Sequence, residues 1–330
     1  MILFIKQIFL GFMLVAFALC TEARDIGTPF NFSKSIKPGD TFMGIRLLGA
    51  LKLSREKVND LNSRELSGVA WDEDDQILYA VSDDGHLVHL NPTFTDGFLT
   101  GVSLINAYPL RDPDGKVLEG DASDAESLAL INSNNGIHGD SELVISLEFP
   151  PRIGRFRADG YFIAFIPIPA NLSELTSYSD QDATLDSLAL HSKFGFITAP
   201  QTPMINSKPA LFSIYSLEGK EWQYVHLNYK DSRTLGMETL PDGNLLVIER
   251  VYSTFYKPVI YALRKLRIEE TENSLIEVEE IAHLNSREGW LLDNFESVAR
   301  HKGNRYFMVS DDNENSFQKT LLVYFEILEE

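Results

Sequence analysis

Acidic residues recur along this sequence where apolar segments begin. An acid close to a small polar and an aliphatic residue opens such a segment five times, at intervals of 52 to 61 positions: Glu65, Glu126, Asp186, Glu238 and Glu296. A second acid follows four of these positions: Asp83, Glu148, Glu249 and Asp311. Carboxylate oxygens that converge from several copies would bind a hard cation. Ca²⁺ suits them best, since it takes about 6–8 oxygen ligands in flexible geometry.

Two arginines accompany the second acids, Arg152 after Glu148 and Arg250 after Glu249. A guanidinium group can hold a phosphate or carboxylate through two parallel hydrogen bonds. The alternative for each arginine is an ion pair with the neighbouring carboxylate that only makes the channel more rigid. The alternative for the repeated acids is that they only end turns before strands. We predict Glu65, Glu126, Glu296 and Asp311 as metal ligands, Arg152 and Arg250 as anion-binding groups, and Glu148 or Glu249 as the general base.

Other catalytic patterns are absent from the sequence. It has no Gly-x-Ser-x-Gly elbow, no phosphate-binding glycine loop, no dinucleotide-binding fingerprint and no His-Glu-x-x-His helix. His86 and His89 lie three positions apart in a predicted strand, on opposite faces, so they cannot share a metal. Carboxylates and arginines therefore carry the predicted chemistry.

Short apolar runs closed by Gly, Asn, Asp or Pro dominate the rest of the chain and predict strands. Residues 76–82 and 86–90 flank an Asp-Gly pair, which indicates a hairpin. With the acidic repeat, these runs predict an all-β, single-domain β-propeller of about five or six blades, one repeat to a blade. Residues 320–327 and 42–49 form strands without a sequential partner, and pairing them would close the ring.

Composition limits the partners. The 330 residues carry a net charge of −19 with 44% hydrophobic residues, so a core can form and no nucleic-acid partner is expected, since Lys and Arg supply most of that affinity. We expect a monomer that binds a small anionic or ester substrate.

The N-terminus predicts export. Residues 1–23 contain Lys6 and an apolar run over 8–19, which suits a signal peptide and is too short for a membrane span. We assign residues 24–40 to an N-terminal arm and 41–330 to the propeller domain, with no membrane span. The location is periplasmic or secreted, in a bacterium, because an exported chain without disulfides is typical of bacteria. A lipoprotein acylated at Cys20 is the alternative.

Six separated motifs resemble the phytase-like family of exported bacterial proteins, also described by an esterase-like activity of phytase. They lie at 65–70, 124–128, 148–153, 249–253, 294–299, and 309–313 with 318–322, and the similarity runs from about 42 to 327. The resemblance implies a β-propeller and a hydrolase of phosphate or ester substrates. The third repeat departs from the pattern, because no second acid or arginine follows Asp186; we expect that blade to contribute nothing to the site.

The sequence thus predicts an exported, metal-dependent hydrolase of a phosphoester or carboxylic ester, acting at an acidic central channel. A lactonase-type propeller is a narrower possibility within this class. The alternative is a non-catalytic binding or scaffold propeller of the cell envelope, with a structural metal.

Overall fold

The computed structural model describes residues 24–205, 207–208, 210–227, 231–252, 257–270, 274–313, 315 and 317–328. The predicted signal peptide, including Cys20, lies outside these residues. The described chain forms five antiparallel sheets, each with four main strands, arranged as the blades of a propeller. This confirms the predicted all-β propeller and sets its blade count at five.

The strands are numbered β1 to β26 in chain order. Blade 1 contains β7 (Leu66–Asp72), β8 (Ile77–Ser82), β9 (His86–Thr95) and β10 (Phe98–Pro109), with β1 (Arg24–Asp25) at its outer edge. Blade 2 contains β11 (Ala125–Ile131), β12 (Glu142–Leu147), β13 (Arg152–Arg157) and β14 (Phe162–Ile166). Blade 3 contains β15 (Ser187–His191), β16 (Gly195–Ala199), β17 (Leu211–Ser216) and β18 (Glu221–Val225), with β22 (Ser274–Leu275) parallel to β18.

Blade 4 contains β19 (Ser232–Thr239), β20 (Leu245–Val251), β21 (Ile260–Leu266) and β23 (Val278–Asn285). Blade 5 contains β24 (Asn294–Lys302), β25 (Arg305–Asp311), β26 (Leu321–Ile327) and β4 (Ile45–Leu53), with β2 (Gly27–Pro29) and β3 (Thr41–Phe42) paired to β4. A small hairpin joins β5 (Lys57–Val58) to β6 (Leu61–Asn62). The helical segments are α1 (Ala170–Ser173) and 3₁₀ turns at Gly120–Ala122, Leu175–Ser177 and Ser286–Glu288. No helix in the described ranges has the length and apolar character that a membrane span requires.

Blade 5 closes the ring with strands from both ends of the described chain. In the antiparallel pair of β26 and β4, Leu322 lies opposite Leu51 and Val323 opposite Ala50. This confirms the predicted pairing of the early and late strands. Since an unpaired strand exposes a row of backbone N–H and C=O groups, the closure removes two open edges.

Apolar side chains fill the spaces between the blades. Trp222 and Tyr224 of blade 3, for example, share a buried cluster with Met237, Leu245 and Val247 of blade 4. Each strand places alternate side chains on opposite faces of its sheet, so a blade can pack against both neighbours.

The inner strands of neighbouring blades approach closely at two glycines. A Cβ atom on Gly236 would lie 2.7 Å from Cα of Ser297, and one on Gly68 would lie 2.9 Å from the backbone N of Leu128. Both distances are below normal carbon contacts, so these positions require glycine. The five inner strands β7, β11, β15, β19 and β24 thereby surround a narrow channel.

Candidate metal and anion site

The inner strands of blades 1, 2 and 5 begin with a β-bulge. The strand register skips Ser67 in blade 1, Glu126 in blade 2 and Glu296 in blade 5. A bulge re-aims the side chain of its extra residue. Glu126 and Glu296 consequently interact electrostatically with each other, although they come from blades 2 and 5, which are not neighbours.

The second strands supply another set of site residues. In blade 2, Leu128 of the inner strand lies opposite Ile145 of the second strand, and Glu148 comes three positions after Ile145. The inner-strand residues equivalent to Leu128 are Val69, Leu188, Met237 and Val298. Three positions beyond the second-strand partner of each lies the residue equivalent to Glu148. The five equivalent residues are Asp83, Glu148, Gln201, Arg250 and Asp311. Every blade thus contributes one polar side chain at this level.

Seven acidic residues form one electrostatically linked group, called here the acidic cluster: Asp83, Asp124, Glu126, Glu148, Asp186, Glu296 and Asp311. Burial is the largest cause of a raised pKa in all of them, because it disfavours the charged form. Glu126 is also raised by the charges of Asp186, Glu296 and Glu148.

Three members have a pKa near neutrality. Burial and the charges of Asp311 and Asp124 raise the pKa of Asp83 to about 7. Burial, with Asp124, raises the pKa of Glu148 to about 8, even though Thr184 N donates to its Oε1 at 3.1 Å. Burial and Asp311 also raise the pKa of Glu296 to about 8. Without a positive charge, much of the cluster would hold protons at neutral pH.

The third blade contributes to the cluster, contrary to the prediction from sequence. Asp186 is 6% exposed and interacts electrostatically with Glu148 and Glu296. Gln201 Nε2 donates to Oδ2 of Asp186, whereas the buried Oδ1 of Asp186 has no hydrogen-bond partner among the described residues. A buried carboxylate oxygen without a partner is costly unless a ligand satisfies it.

Two groups of acids are close enough to hold an ion. One oxygen each from Asp124, Glu126 and Glu148 lie within 4.8 Å of one another, and the same holds for Glu65, Asp83 and Asp84. The donors are all carboxylate oxygens, which suits a hard cation such as Ca²⁺ or Mg²⁺, and the orphan Oδ1 of Asp186 adds another donor to the cluster. The residues therefore fit a metal site. Of the predicted ligands, Glu126 belongs to the first group and Glu65 to the second, while Glu296 and Asp311 interact with each other in the cluster.

Arg250 is a cationic group beside the cluster. Its Nη1 donates to Asn294 Oδ1, and Asn294 Nδ2 in turn donates to Glu296 Oε1 at 2.6 Å. Burial alone would lower the pKa of Arg250, but the charges of Tyr261 and Glu296 raise it. A guanidinium group has five N–H donors, so Arg250 retains donors for an anion.

The structure does not bring two other predicted residues to the carboxylates. Arg152 donates to backbone carbonyls, from Nη1 to Phe149 and Pro150 and from Nη2 to Ala122. Its guanidinium therefore fixes the connection after β12 and pairs with no carboxylate among the described residues. Burial lowers the pKa of Arg152.

Glu249 lies apart from the cluster. It is fully buried, with Oε2 2.5 Å from Arg264 Nη1, and it also accepts a hydrogen bond from Leu227 N. Since successive residues of a strand face opposite sides, Glu249 of β20 cannot share the side occupied by Arg250. Its surroundings are the contact between blades 3 and 4, where Arg264 also lies over Tyr224.

Sequence reasoning placed the acidic repeat in the wrong register in two blades. Glu238 lies one position beyond Met237, the residue equivalent to Leu128, and its carboxylate accepts hydrogen bonds from Thr239 N and Arg300 N. In blade 1, Glu65 precedes the bulge residue Ser67 by two positions, as Asp124 precedes Glu126 by two. The pairs Asp124/Glu126 and Asn294/Glu296 share a polar-x-Glu-Ser pattern that could have shown the correct register.

A family model and two solved structures are similar to this chain. A family model described as "Phytase-like: Esterase-like activity of phytase" matches residues 63–314. No curated protein sequence matches the chain. Two similar solved structures are "Crystal structure of glucose dehydrogenase" and "Structure of U3-55K". The first is 11% identical with a TM-score of 0.41, covering 79% of this chain and 96% of that one. The second is 11% identical with a TM-score of 0.37, covering 81% and 77%.

Proposed function

We propose that this chain, which belongs to the Phytase-like family, is an exported, metal-dependent hydrolase. The family is described by an esterase-like activity of phytase. Its substrate is a phosphoester or carboxylic ester that carries negative charge or develops it during hydrolysis. Phytase-like propellers often bind metal, and the acidic groups here could hold an ion. We assign the cation as Ca²⁺ and the compartment as the periplasm or the outside of a bacterial cell, and we expect a monomer.

The acidic cluster carries this proposal. Glu126 lies among the charges of Asp186, Glu296, Glu148 and Asp124, an arrangement that destabilises the folded chain unless a cation compensates it. Carboxylates that raise one another's pKa in a cleft are typical of functional sites. The charges with the largest effect on the pKa of Glu126 are those of other acids, whereas Glu249 is paired with Arg264.

We assign Asp124, Glu126 and Glu148 as the first ligands of the cation, and the buried Oδ1 of Asp186 as a further candidate ligand. A bound hard cation would polarise the substrate oxygen and acidify a bound water. Arg250 binds the anionic oxygen through its remaining N–H donors. Asp83, which interacts electrostatically with Asp124, accepts the proton of the attacking water as the general base.

The test is turnover of p-nitrophenyl phosphate and p-nitrophenyl acetate by purified protein, with Ca²⁺ or with EDTA. We expect Ca²⁺-dependent turnover of one of the two substrates. Glu126→Gln should weaken Ca²⁺ affinity by about tenfold or more, because ligand charge sets the affinity of such sites. Glu277→Gln removes an exposed glutamate far from the cluster and is the matched control.

A binding or scaffold propeller with a structural metal is the second candidate. The carbonyl bonds of Arg152 and the buried ion pair of Glu249 favour it, because both residues have structural roles in place of the catalytic ones predicted. Ca²⁺ that raises the melting temperature without turnover of either substrate would favour this candidate over the hydrolase. Export is tested separately, by cell fractionation and N-terminal sequencing of the mature chain.

A further inference from the structure

An open cavity of about 550 Å³ lies where the inner strands end, and all five blades line it. The acidic cluster lies where the same strands begin. In β24, for example, Glu296 belongs to the cluster and Arg300 lines the cavity, and four residues of a strand span about 13 Å. The inner strands approach one another most closely between these two levels, at Gly68 and Gly236. The cavity is therefore a place distinct from the acidic cluster.

Each blade supplies one equivalent side chain to this cavity. The residue in question lies two positions beyond the inner-strand residue equivalent to Leu128, and the five are Trp71, Leu130, Leu190, Thr239 and Arg300. The position before each of them is alanine in four blades and Glu238 in blade 4. Since alanine fills little space, the inner strands leave room there, and the volume lies within the range of small-molecule sites, about 300–1,000 Å³.

The wall of the cavity is largely apolar on the side of blades 1 to 3. It consists there of Trp71, Leu130 and Leu190 together with smaller side chains. Leu190 is 41% exposed, so a ligand that covers it gains from the burial of apolar surface. The one hydroxyl of the five equivalent residues is already bonded, because Thr239 Oγ1 donates to the carbonyl oxygen of Leu190 at 3.0 Å.

The cationic side chains of the cavity are Arg300 and Lys302, both exposed and both on the inner strand of blade 5. Nε of Arg300 donates to the carbonyl oxygen of Gly303 at 3.0 Å, whereas its two Nη atoms bond to no residue that the structure describes. No carboxylate of the described chain lies within ion-pair distance of either cation, although the charge of Arg300 acts on Glu238. Both cations therefore retain donors for a ligand.

Two carboxylates also line the cavity, and the protein already supplies donors to them. Trp71 Nε1 donates to Glu73 Oε2 at 3.0 Å. The backbone N atoms of Thr239 and Arg300 donate to the two oxygens of Glu238, at 2.7 and 2.9 Å. Because the acids have donors and the cations have donors to spare, an anionic group complements this cavity better than a cationic one.

We propose that this cavity is a second ligand site, which binds an aliphatic carboxylate with its anionic group on Arg300 and Lys302 and its hydrocarbon chain against Leu130 and Leu190. The site takes no part in the proposed hydrolysis, which occurs at the other end of the inner strands. An aliphatic chain fits because leucine and alanine side chains form most of the apolar wall.

The experiment is calorimetry of the purified protein in EDTA with three probes. Octanoate should bind with a stoichiometry of one. Hexanoate should bind about tenfold more weakly, because it lacks two methylene groups and each buried methylene changes the affinity about fourfold. Octyltrimethylammonium has the same hydrocarbon chain and the opposite charge, and it should show no binding at the concentrations that saturate with octanoate.

Two variants test the two halves of the site. Arg300→Gln should weaken octanoate binding about tenfold, the loss expected for a hydrogen bond to a charged group. Leu190→Gln should also weaken it, by about fivefold, because the hydrocarbon chain loses its exposed contact. The matched controls are Arg157→Gln and Leu275→Gln, which change exposed side chains on outer strands of blades 2 and 3 and should bind octanoate as the wild type does.

Arg250→Ala distinguishes this site from the acidic cluster and should leave octanoate binding unchanged. If octanoate affinity falls in Arg250→Ala and persists in Arg300→Gln, the anion binds at the cluster and the cavity proposal is wrong. Absence of octanoate binding to the wild type, or equal binding of octanoate and octyltrimethylammonium, would overturn it as well. None of these results bears on the proposed hydrolase, which turnover with Ca²⁺ tests separately.

Discussion

Glu296 and Glu249 are both buried glutamates of the propeller, and their replacement by glutamine should change stability in opposite directions. Glu296 lies among acids and has a pKa raised to about 8 by burial and by Asp311. Glu249 is held by Arg264 at 2.5 Å. Glutamine keeps the size of the side chain and can still accept the hydrogen bond from Asn294 Nδ2 at position 296. The substitution therefore removes mainly a charge in each case.

The magnitude for Glu296 follows from linkage. Its pKa in the folded chain lies above the unfolded value, so its contribution to stability is complete below pH about 4.5 and is lost as the pH rises through about 8. At pH 7.5 this loss amounts to at most about 4 kcal/mol, at about 1.4 kcal/mol for each pH unit above 4.5. Because Glu296 titrates together with neighbouring acids, we expect about half of that, about 2 kcal/mol.

The assay is urea unfolding in EDTA, followed by tryptophan fluorescence, at pH 5 and pH 7.5. Glu296→Gln should match the wild type at pH 5 and be about 2 kcal/mol more stable at pH 7.5. Glu249→Gln should be about 3 kcal/mol less stable at both values, because it leaves the charge of Arg264 buried without its partner. If Glu296→Gln is destabilising at pH 7.5, or if its effect is the same at both values, the electrostatic account of the cluster is refuted.

Three further predictions concern the acidic cluster, the two arginines and the packing of the inner strands. In EDTA, the melting temperature of the wild type should fall between pH 5 and pH 8, because the raised pKa values of Asp83 and Glu148 make ionisation costly. Ca²⁺ should restore the melting temperature at pH 8 but not at pH 5, and a calcium effect of equal size at both pH values would contradict this. Arg250→Ala should weaken the binding of a phosphonate by about tenfold, with a small change in melting temperature. Arg152→Ala should lower the melting temperature, because it removes hydrogen bonds to carbonyl oxygens, and should leave phosphonate binding intact; the reverse pattern would exchange the two assigned roles. Gly236→Ala should lower the free energy of unfolding in urea by about 2 kcal/mol, since the added Cβ would meet the backbone at Ser297. Gly101→Ala, whose added Cβ would lie 3.6 Å from the nearest atom, should leave that free energy unchanged, and equal effects of the two variants would argue against close strand packing.

The fold was predictable from sequence because its signals are local. Apolar runs ended by turn residues mark the strands, and the hairpin of β8 and β9 has the predicted Asp-Gly turn between its strands. The closing pair of β4 and β26 was also predictable, since two strands without sequential partners need each other. Such inferences require only that a segment be a strand, and they tolerate errors of a residue or two in its bounds.

The site needs an accuracy of one residue, which the sequence did not supply. A slip of one position in a strand moves a side chain to the opposite face. Glu249 and Arg250 are neighbours in sequence, yet one lies between blades and the other beside the acidic cluster. The bulges at Glu126 and Glu296 fix which residues enter the cluster, and the short polar-x-Glu-Ser pattern that the two positions share is their signal in the sequence. Asp186 was discounted because no second acid or arginine follows it. The structure places Gln201 at the equivalent position, and the Gln201 amide donates to Asp186 Oδ2.

The closure of blade 5 also determines when the molecule can fold. β4 appears early in synthesis, but its partner β26 follows about 270 positions later, so the contact that completes the ring has a very high sequence separation. Until residues 321–327 emerge, β4 and β25 each present an uncovered hydrogen-bonding edge, and the emerging chain is open to association with other chains at both. A ribosome-bound chain is therefore an incomplete ring, and cooperative folding must wait for the last strand. Truncations that remove β26 should behave as aggregation-prone fragments, whatever the condition of the other four blades.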